Sequence, residues 1–277
     1  MLGEAHGPQH DGRCPAPTNV GAVDTAAVLT LLQDVAAEVI NPRFRTLSDE
    51  QVAEKNPGDL VTVADHESEA LITAALQAAY PDALVLGEEA MAGDPALLDR
   101  FATAEHAFTV DPVDGTKNFV NGSPDHAVMV AEVRGGEVTR GWIWQPQHAT
   151  SYVAERGAGA WRNGERLTVA GPGADTPFRT ARRAWVGREL GGLGTLELTW
   201  ACCGVDYPHL VAGDARALLY SRSMPWDHLP GGLILTEAGG TIGQHDGTPL
   251  QPQALAGGIV AAPDRATYDA VVAALPL

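Results

Sequence analysis

Acidic residues occur in small groups at the ends of apolar stretches or at helix starts, and this placement most constrains how the chain folds. The groups are Asp65, Gly87-Glu88-Glu89, Asp111 to Thr116, and Trp226-Asp227. A carboxylate at a strand end or helix start lies at the rim of a sheet, where several carboxylates can surround one cation without any being buried alone. The sequence therefore predicts layered sheets and helices whose edges bring these groups together.

Helical and strand-like patterns alternate along the chain. Apolar residues recur with a helical period from Ala22 to Ile40 and from Ala64 to Ala79. Apolar runs from Ala83 to Leu86 and from Ala107 to Val110 predict buried strands that lead directly into acidic residues. The middle third has the alternating segments and turn signals of antiparallel sheet, and mixed helices and strands follow from about Thr195. We therefore expect an α/β (α+β) fold of stacked sheet and helix layers.

The length of 277 residues suits a single catalytic domain, which we place at residues 21–277. Its N-terminal half, to about residue 170, carries the acidic motifs and the antiparallel sheet, and an α/β half follows. Residues 1–20 lack the basic start and apolar stretch of a signal peptide, so we expect a disordered tail on a cytoplasmic protein. Three cysteines without a paired spacing also favour a reducing compartment.

The charge of the chain limits its partners. A formal net charge of -17 produces a negative field that disfavours nucleic acid and anionic membranes. The same field repels a phosphorylated small molecule, so a protein that binds a phosphate ester here needs a local positive charge. Divalent cations held by clustered carboxylates supply one, and Mg²⁺ prefers such oxygen ligands. A helix starting at Gly115 and Thr116 would add backbone N–H groups for the phosphate.

The segment from Asp111 to Phe119 resembles the D-P-[IVL]-D-G-T-x-x-F signature of the inositol monophosphatase family. The other motifs of the family are present on both sides of this segment, in the family's order. They are Asp59 to Asp65, Gly87-Glu88-Glu89, Gly157 to Gly164, Trp226-Asp227, and Glu237 to Gly240. The resemblance spans roughly residues 25 to 262. It implies a layered αβαβα sandwich of the inositol monophosphatase or sugar phosphatase type, often a homodimer, that hydrolyses small phosphate esters with Mg²⁺.

Carried over position by position, the resemblance implies a role for each matched residue. The metal ligands, for two or three Mg²⁺ ions, are Glu88, Asp111, Asp114 and Asp227 with the backbone carbonyl of Val113. The catalytic residues are Asp65, Thr116 and Glu88. The residues that bind the phosphate and the substrate are Gly115, Thr116 and Asp227. Within the catalytic set, Asp65 and Thr116 orient the attacking water and help to deprotonate it.

Each acidic group also has a purely structural explanation. Asp65 forms the pattern of a capping box with Thr62, and Asp111 to Thr116 contains the residue types of a turn. Asp227 is placed to cap a helix. Separate turns and caps do not by themselves reproduce the order of one family's ligands, so the joint occurrence favours a metal site. Glu89 stays open between a supporting role and solvent, and the residues expected to pack or to face water are His66, His228 and Lys117.

Substrate choice is where the sequence departs from the family. Inositol-specific members carry a glutamate seven positions before the W-D aspartate, and Tyr220 stands there in this chain. Ala201-Cys202-Cys203-Gly204 replaces a G-S/T-A-A segment that also borders the substrate. On an ungapped alignment, myo-inositol phosphate loses a polar partner, for which Asp206 or Arg222 could compensate.

Three functional hypotheses follow from the sequence. The first is a Mg²⁺-dependent phosphatase of a small polyol, sugar or inositol phosphate. The second keeps this machinery and changes the leaving group, because relatives with similar motifs hydrolyse histidinol phosphate or the 3'-phosphate of adenosine bisphosphates. The third is a protein that binds metal or sugar phosphate without catalysis, which would need a broken catalytic set. No key residue of that set is missing from the sequence.

Overall fold

The computed structural model describes residues 24–253 and 257–275. The tail predicted at residues 1–20 lies outside the described residues. Within the described ranges, none of the helices combines the length and the apolar character that crossing a membrane requires.

The described residues form eight α-helices that are distributed along the chain. They are α1 (Thr25–Val35), α2 (Val63–Ala79), α3 (Glu88–Gly93), α4 (Ala96–Phe101), α5 (Thr116–Val120), α6 (Cys203–Ala212), α7 (Pro225–Glu237) and α8 (Arg265–Ala274). The helical period predicted up to Ile40 continues past α1 as one wider turn, Ala36–Ile40. The helix predicted around residue 70 is α2, and Thr62 and Asp65 form the expected capping box at its start.

The strands form two large sheets and one hairpin. Their bounds are β1 (Val52–Asn56), β2 (Asp59–Thr62), β3 (Leu84–Gly87), β4 (His106–Asp114), β5 (Ala127–Arg134), β6 (Glu137–Gln145), β7 (Thr150–Glu155), β8 (Gly159–Arg162), β9 (Glu165–Arg166), β10 (Phe178–Thr180), β11 (Leu196–Leu198), β12 (Ala217–Tyr220), β13 (Thr241–Gln244) and β14 (Ile259–Ala262). Strands β1 and β2 pair with each other as the hairpin.

The first large sheet has seven strands in the order β3-β4-β5-β6-β7-β8-β9. From β4 to β9 every pair is antiparallel, as the alternating middle third predicts. Strand β3, which precedes the middle third of the chain, pairs with β4 in parallel. The chain passes through α3 and α4 between these two strands, and such a crossover allows a parallel pair.

The second sheet has five strands in the order β11-β10-β12-β14-β13. Helices α6 and α7 lie between the two sheets, and both contribute to a core that joins Met129 of β5 to Leu218 of β12. Helices α1 and α2 pack on the other face of the first sheet, where Trp142 is fully buried. Helix α8 covers the outer face of the second sheet. This order of layers confirms the predicted αβαβα sandwich.

Candidate active site and metal centre

The site lies where β4 ends and α5 begins. The pairing of β4 with β5 is irregular between Asp111 and Asp114, and the Val113 N–H donates to Asp111 Oδ1 at 3.2 Å. Gly115 then has a φ of 79°, a left-handed conformation that glycine adopts without strain. A Cβ on Gly115 would lie 2.9 Å from Cys202 Cβ, so this turn needs glycine for space as well as for its dihedral angle.

Three aspartates converge at this turn. One carboxylate oxygen from each of Asp111, Asp114 and Asp227 lies within 4.8 Å of the others, and we call these residues the carboxylate cluster. Asp111 and Asp114 come from β4, whereas Asp227 belongs to the first turn of α7. Within the part of the chain that the structure describes, none of the three forms an ion pair with a basic side chain.

Asp114 is fixed by the segment that leads into α6. The backbone N–H of Gly204 and the thiol of Cys202 both donate to Asp114 Oδ2, the latter at 3.0 Å. Cys202 itself is buried, and together with Cys203 it is a free thiol. A strand end of the first sheet is thereby tied to a helix start in the central layer.

The electrostatics of the carboxylate cluster favour a bound cation. Burial, together with the charges of Glu88 and the other cluster members, raises the pKa of Asp111 well above its ordinary value. Burial and the charge of Asp114 raise the pKa of Asp227 in the same way. Buried carboxylates that repel each other lower their free energy by binding a cation, and three hard oxygen donors match the preference of Mg²⁺. The residues present therefore fit a divalent metal.

A second group of potential ligands shares Asp227 with the cluster. Ligand atoms of Cys203, Asp227 and His228 also lie within 4.8 Å of one another. His228 is buried, and its two ring nitrogens lie 3.0 Å from the Tyr207 hydroxyl and 3.3 Å from the Arg222 carbonyl oxygen. Because the imidazole is already engaged on both sides, the all-oxygen cluster is the better metal candidate.

Glu88 begins α3 at the end of β3 and is not one of the three clustered residues. Lys55 Nζ from the β1–β2 hairpin donates to Glu88 at 2.7 Å and to Glu89 at 2.9 Å. Burial raises the pKa of Glu88 to about 7, although Lys55 opposes this shift. In the structure, the positive charge of Lys55 stabilises the ionised carboxylate of Glu88.

Asp65 lies beside the carboxylate cluster, on the first turn of α2. Its Oδ2 accepts hydrogen bonds from the backbone N–H of Thr62 at 2.9 Å and from the Thr62 hydroxyl at 2.6 Å. Its Oδ1 accepts from the Thr116 hydroxyl at 3.1 Å, and the Val113 carbonyl oxygen lies 3.0 Å from the same hydroxyl. Burial raises the pKa of Asp65 to about 6. The capping role and the contact with Thr116 thus use different oxygens of one carboxylate.

A cavity of about 340 Å³ opens beside the carboxylate cluster, and Asp114 and Asp227 form part of its wall. Tyr220, at the position where inositol-specific members have glutamate, also lines this cavity. Its hydroxyl donates to Asp206 Oδ2 at 2.9 Å, and the Trp200 N–H donates to Asp206 Oδ1 at 2.9 Å. Burial raises the pKa of Asp206 to about 7. Asp206 therefore supports the cavity wall rather than offering a free acceptor.

Comparison with known proteins agrees with this arrangement. The sequence model of the inositol monophosphatase family matches residues 23–276. The chain belongs to the inositol monophosphatase family. Its membership makes it a phosphatase that hydrolyses phosphate monoesters, and dependence on a metal is a general property of the family.

Individual relatives in the family cover most of the chain. An inositol-1-monophosphatase of Mesorhizobium japonicum is 32% identical over an aligned length of 227 residues. The alignment covers 76% of this chain and 82% of the relative. The Nus factor SuhB of Pseudomonas aeruginosa is 30% identical over an aligned length of 236 residues, and the alignment covers 77% of this chain and 82% of that protein. A solved Thermotoga maritima IMPase has the same fold, with a TM-score of 0.73, 24% identity and coverage of 89% of this chain and 94% of that one.

The family motifs did not point to two residues that the structure places at the site. Lys55 comes from a charged stretch without a distinctive pattern, and only the contact with Glu88 makes it notable. Glu69 accepts hydrogen bonds from the N–H groups of Glu89 and Ala90 at 2.7 and 2.8 Å, which caps the start of α3. Glu69 follows Asp65 by four residues on α2, a spacing that puts both on one helix face and could have identified it.

The residues expected to pack or to face solvent do so. His66 is 61% exposed in its side chain, and Lys117 is also exposed. His228 is buried against Tyr207. Glu89, whose sequence context fits either a supporting role or solvent, is buried and paired with Lys55, and one of its carboxylate oxygens has no hydrogen-bond partner in the described residues. The Asp227 side chain is not a helix cap, because α7 begins two residues earlier at Pro225.

Proposed function

We propose that this phosphatase hydrolyses a small polyol, sugar or inositol phosphate with Mg²⁺, and that two or three ions act at the carboxylate cluster. The observation that carries this proposal is the convergence of Asp111, Asp114 and Asp227 beside the cavity. Their burial without a basic partner among the described residues is costly unless a cation binds. The cavity has the size of a small-molecule site.

The proposed metal ligands are the carboxylate cluster, Glu88 and the Val113 carbonyl. When bound, Mg²⁺ supplies positive charge for the phosphate oxygens and acidifies water. To bind the metal, the side chain of Glu88 would have to exchange its ion pair with Lys55 of the β1–β2 hairpin for the cation. Gly115 and Thr116 bind the phosphate in this proposal, since they begin α5 directly after the cluster. Asp227 would contact both the metal and the substrate.

Asp65 and Thr116 are proposed to activate the attacking water. The Thr116 hydroxyl donates to Asp65 Oδ1, so its oxygen can accept a hydrogen bond from water while its proton moves to the carboxylate. The pKa of about 6 for Asp65 lies near the neutral range in which a general base is most effective. This geometry supports a relay in which the two residues act as one unit.

Phosphate release from a panel of esters tests the proposal. The panel contains inositol 1-phosphate, glucitol 6-phosphate, histidinol phosphate and adenosine 3',5'-bisphosphate, so that it separates the three sequence-based hypotheses. We expect turnover with Mg²⁺, loss after EDTA, recovery when Mg²⁺ is returned, and inhibition by Ca²⁺, which tolerates looser coordination. Full activity in EDTA, or no turnover of any ester with Mg²⁺, would contradict the mechanism.

We also propose one catalytic domain at residues 21–277 in a cytoplasmic homodimer. The shared core between the two sheets supports a single domain, which should unfold in one transition. The free thiols of Cys202 and Cys203 support a reducing compartment, which cell fractionation would test. The homodimer rests on the family resemblance, and light scattering after size-exclusion chromatography would measure the mass of the assembly against the chain mass of 29.0 kDa.

A further inference from the structure

We infer that the leaving group of the ester carries a second anionic group, a phosphate or a carboxylate, which Arg183 and Arg222 bind at the mouth of the cavity. This inference rests on the proposed function, because the carboxylate cluster is taken to hold the phosphate that is hydrolysed. Arg183 follows β10 and Arg222 follows β12, and both side chains line the cavity shared with Asp114 and Asp227. The two arginines are therefore the specificity-determining residues in this proposal.

The two guanidinium groups have no ion-pair or hydrogen-bond partner among the described residues, although the protein is rich in carboxylates. It has 35 Asp and Glu residues against 18 Lys and Arg. Three exposed arginines elsewhere pair with carboxylates at 2.7 to 2.9 Å, namely Arg100 with Asp94, Arg156 with Glu137 and Arg265 with Asp269. Across residues 24–253 and 257–275, by contrast, neither the Arg183 nor the Arg222 side chain has an ion pair or a hydrogen bond. Their charge is available to a ligand.

Burial separates the two signs of charge along the cavity. Asp114 is 8% exposed and Asp227 is partly buried, so these carboxylates form the inner part of the wall. Arg183 and Arg222 are exposed and lie at its outer part. A molecule whose reacting phosphate reaches the inner end would extend towards these exposed arginines. Guanidinium groups bind phosphate and carboxylate with charge-assisted hydrogen bonds, so an anion at the outer end is the matching group.

The remaining carboxylate in the cavity wall does not neutralise the arginines. Asp206 is 1% exposed, and its two oxygens accept from the Trp200 N–H and the Tyr220 hydroxyl. Tyr220 in turn directs its hydroxyl hydrogen to Asp206 and away from a ligand. A second anion at this wall can therefore bind the two arginines, because Asp206 has no free carboxylate oxygen that would compete with it.

The cavity volume limits the length of the substrate. About 340 Å³ is near the lower end of small-molecule pockets. The class of substrate is therefore a short carbon chain or single sugar ring with a phosphate ester at one end and a second anion at the other.

Matched substrate pairs test this inference. Fructose 1,6-bisphosphate and fructose 1-phosphate differ in a second phosphate, and 3-phosphoglycerate and glycerol 3-phosphate differ in a carboxylate. We expect kcat/KM to be at least about tenfold higher for the member of one pair that carries the second anionic group, as for one charge-assisted hydrogen bond. The pair with the larger ratio identifies the second anion as phosphate or carboxylate. Equal kcat/KM values within both pairs would overturn the inference.

Variants assign the preference to the arginines. Arg183→Ala and Arg222→Ala should each lower kcat/KM for the preferred ester with two anionic groups about tenfold more than for its matched ester that lacks the second group. Arg188→Ala is the control, because Arg188 is exposed on the same segment but does not line the cavity. It should leave the ratio between paired substrates unchanged. A ratio that survives in both test variants, or falls equally in the control, would contradict the assignment.

A binding measurement separates failure of this inference from failure of the proposed function. Calorimetry with Mg²⁺ would compare pentane-1,5-bisphosphonate with pentylphosphonate, whose C–P bonds are not hydrolysed as esters. We expect the bisphosphonate to bind at least about tenfold more tightly, and Arg183→Ala and Arg222→Ala to remove that difference. If no ester is turned over, the proposed function fails while this comparison still decides the inference. Equal affinities in the unmodified protein would reject the second-anion site.

Discussion

The hydroxyl of Thr116 donates a hydrogen bond to Oδ1 of Asp65 at 3.1 Å, across 51 residues of sequence. The same carboxylate caps α2 through its other oxygen, which accepts from the Thr62 N–H and hydroxyl. The helix cap therefore holds Asp65 in the orientation that receives the Thr116 hydrogen. A residue with a local structural explanation is in this way also positioned for a role at the site.

This contact predicts non-additive effects on catalysis. Thr116→Ala and Asp65→Asn should each lower kcat by about 10² to 10⁴-fold, the usual contribution of general-base catalysis. The double variant should be little slower than the slower single variant, because the two residues act as one relay. Thr116→Ser, which keeps the hydroxyl, is the matched control and should retain most activity. Rate losses that multiply in the double variant would show that the two residues act separately.

The carboxylate cluster predicts opposite effects of Asp111→Asn on stability and activity. A carboxyl whose pKa is higher in the folded than in the unfolded state has no effect on stability below the unfolded pKa, and it destabilises the fold increasingly as pH rises from the unfolded towards the folded value. At pH 7 without metal, Asp111→Asn should therefore raise Tm. It should also weaken the stabilisation by Mg²⁺ and lower kcat by about 10²-fold or more, since a metal ligand is lost.

Thermal melts with EDTA and with Mg²⁺, alongside phosphate release, measure these effects. Asp82→Asn is the control, because Asp82 is exposed and lies two residues before β3, outside the carboxylate cluster. It should change neither Tm nor the Mg²⁺ response. Near-native turnover in Asp111→Asn would remove Asp111 from the metal site.

A buried ion-pair network on the first sheet predicts the pH dependence of stability. Glu132 bonds Arg140 at 2.6 Å and Arg134 at 2.8 Å. Burial alone would raise the pKa of Glu132, but the two arginines outweigh it and lower the pKa from 4.5 to about 2. Ionised Glu132 therefore stabilises the fold fully above pH 4.5, and this contribution is lost as pH falls towards 2.

Glu132→Gln should accordingly cost about 3 kcal/mol at pH 7, because it removes the buried carboxylate charge that both arginines bond. The cost should shrink as the pH is lowered below 4.5. Glu137→Gln is the control, since Glu137 pairs with Arg156 while 62% exposed and should contribute less than about 1 kcal/mol. Denaturant unfolding at several pH values measures both. A Glu132→Gln cost independent of pH would contradict the ion-pair explanation.

The turn at Gly115 predicts a position-specific loss of activity. Gly115→Ala places a Cβ 2.9 Å from Cys202 Cβ and 3.1 Å from the Asp125 carbonyl oxygen, in addition to left-handed strain of about 1 kcal/mol. Gly164→Ala is the matched control, because Gly164 has a φ of 83° and nothing within 4 Å of its added Cβ. Both variants carry the same dihedral strain, but only Gly115→Ala should shift Asp114 and Thr116. We expect kcat to fall at least about tenfold in Gly115→Ala alone, and equal kcat values in the two variants would contradict this.

Local patterns in the sequence predict the parts of the site that depend on local structure. The capping box at Thr62 and the strand that ends at the first aspartate motif follow from residues only a few positions apart. The Asn163-Gly164 hairpin likewise joins β8 and β9, with both residues at positive φ, as that dipeptide favours. Such features need no knowledge of distant contacts, and the structure contains them.

Contacts between distant segments were beyond the reach of these patterns. The Lys55–Glu88 ion pair joins a hairpin to a helix start, and an apolar run does not specify whether its neighbour is parallel, as β3 is to β4. The mouth of the cavity depends on which loops meet, so Arg183 gave no sequence signal and Arg222 only a weak one. The family motifs identify the candidate catalytic residues and metal ligands, whereas the tertiary fold determines which other residues lie around them.

The hydrogen bonds from Cys202 and Gly204 to Asp114 connect selectivity with metal affinity. The same short segment forms part of the cavity wall and orients a proposed metal ligand. A substitution there that widens the cavity for a new substrate would also move the carboxylate of this proposed ligand. If Asp114 binds the cation as proposed, a redesign of the substrate range at this segment has to be accompanied by a compensating change that keeps the Asp114 carboxylate in place.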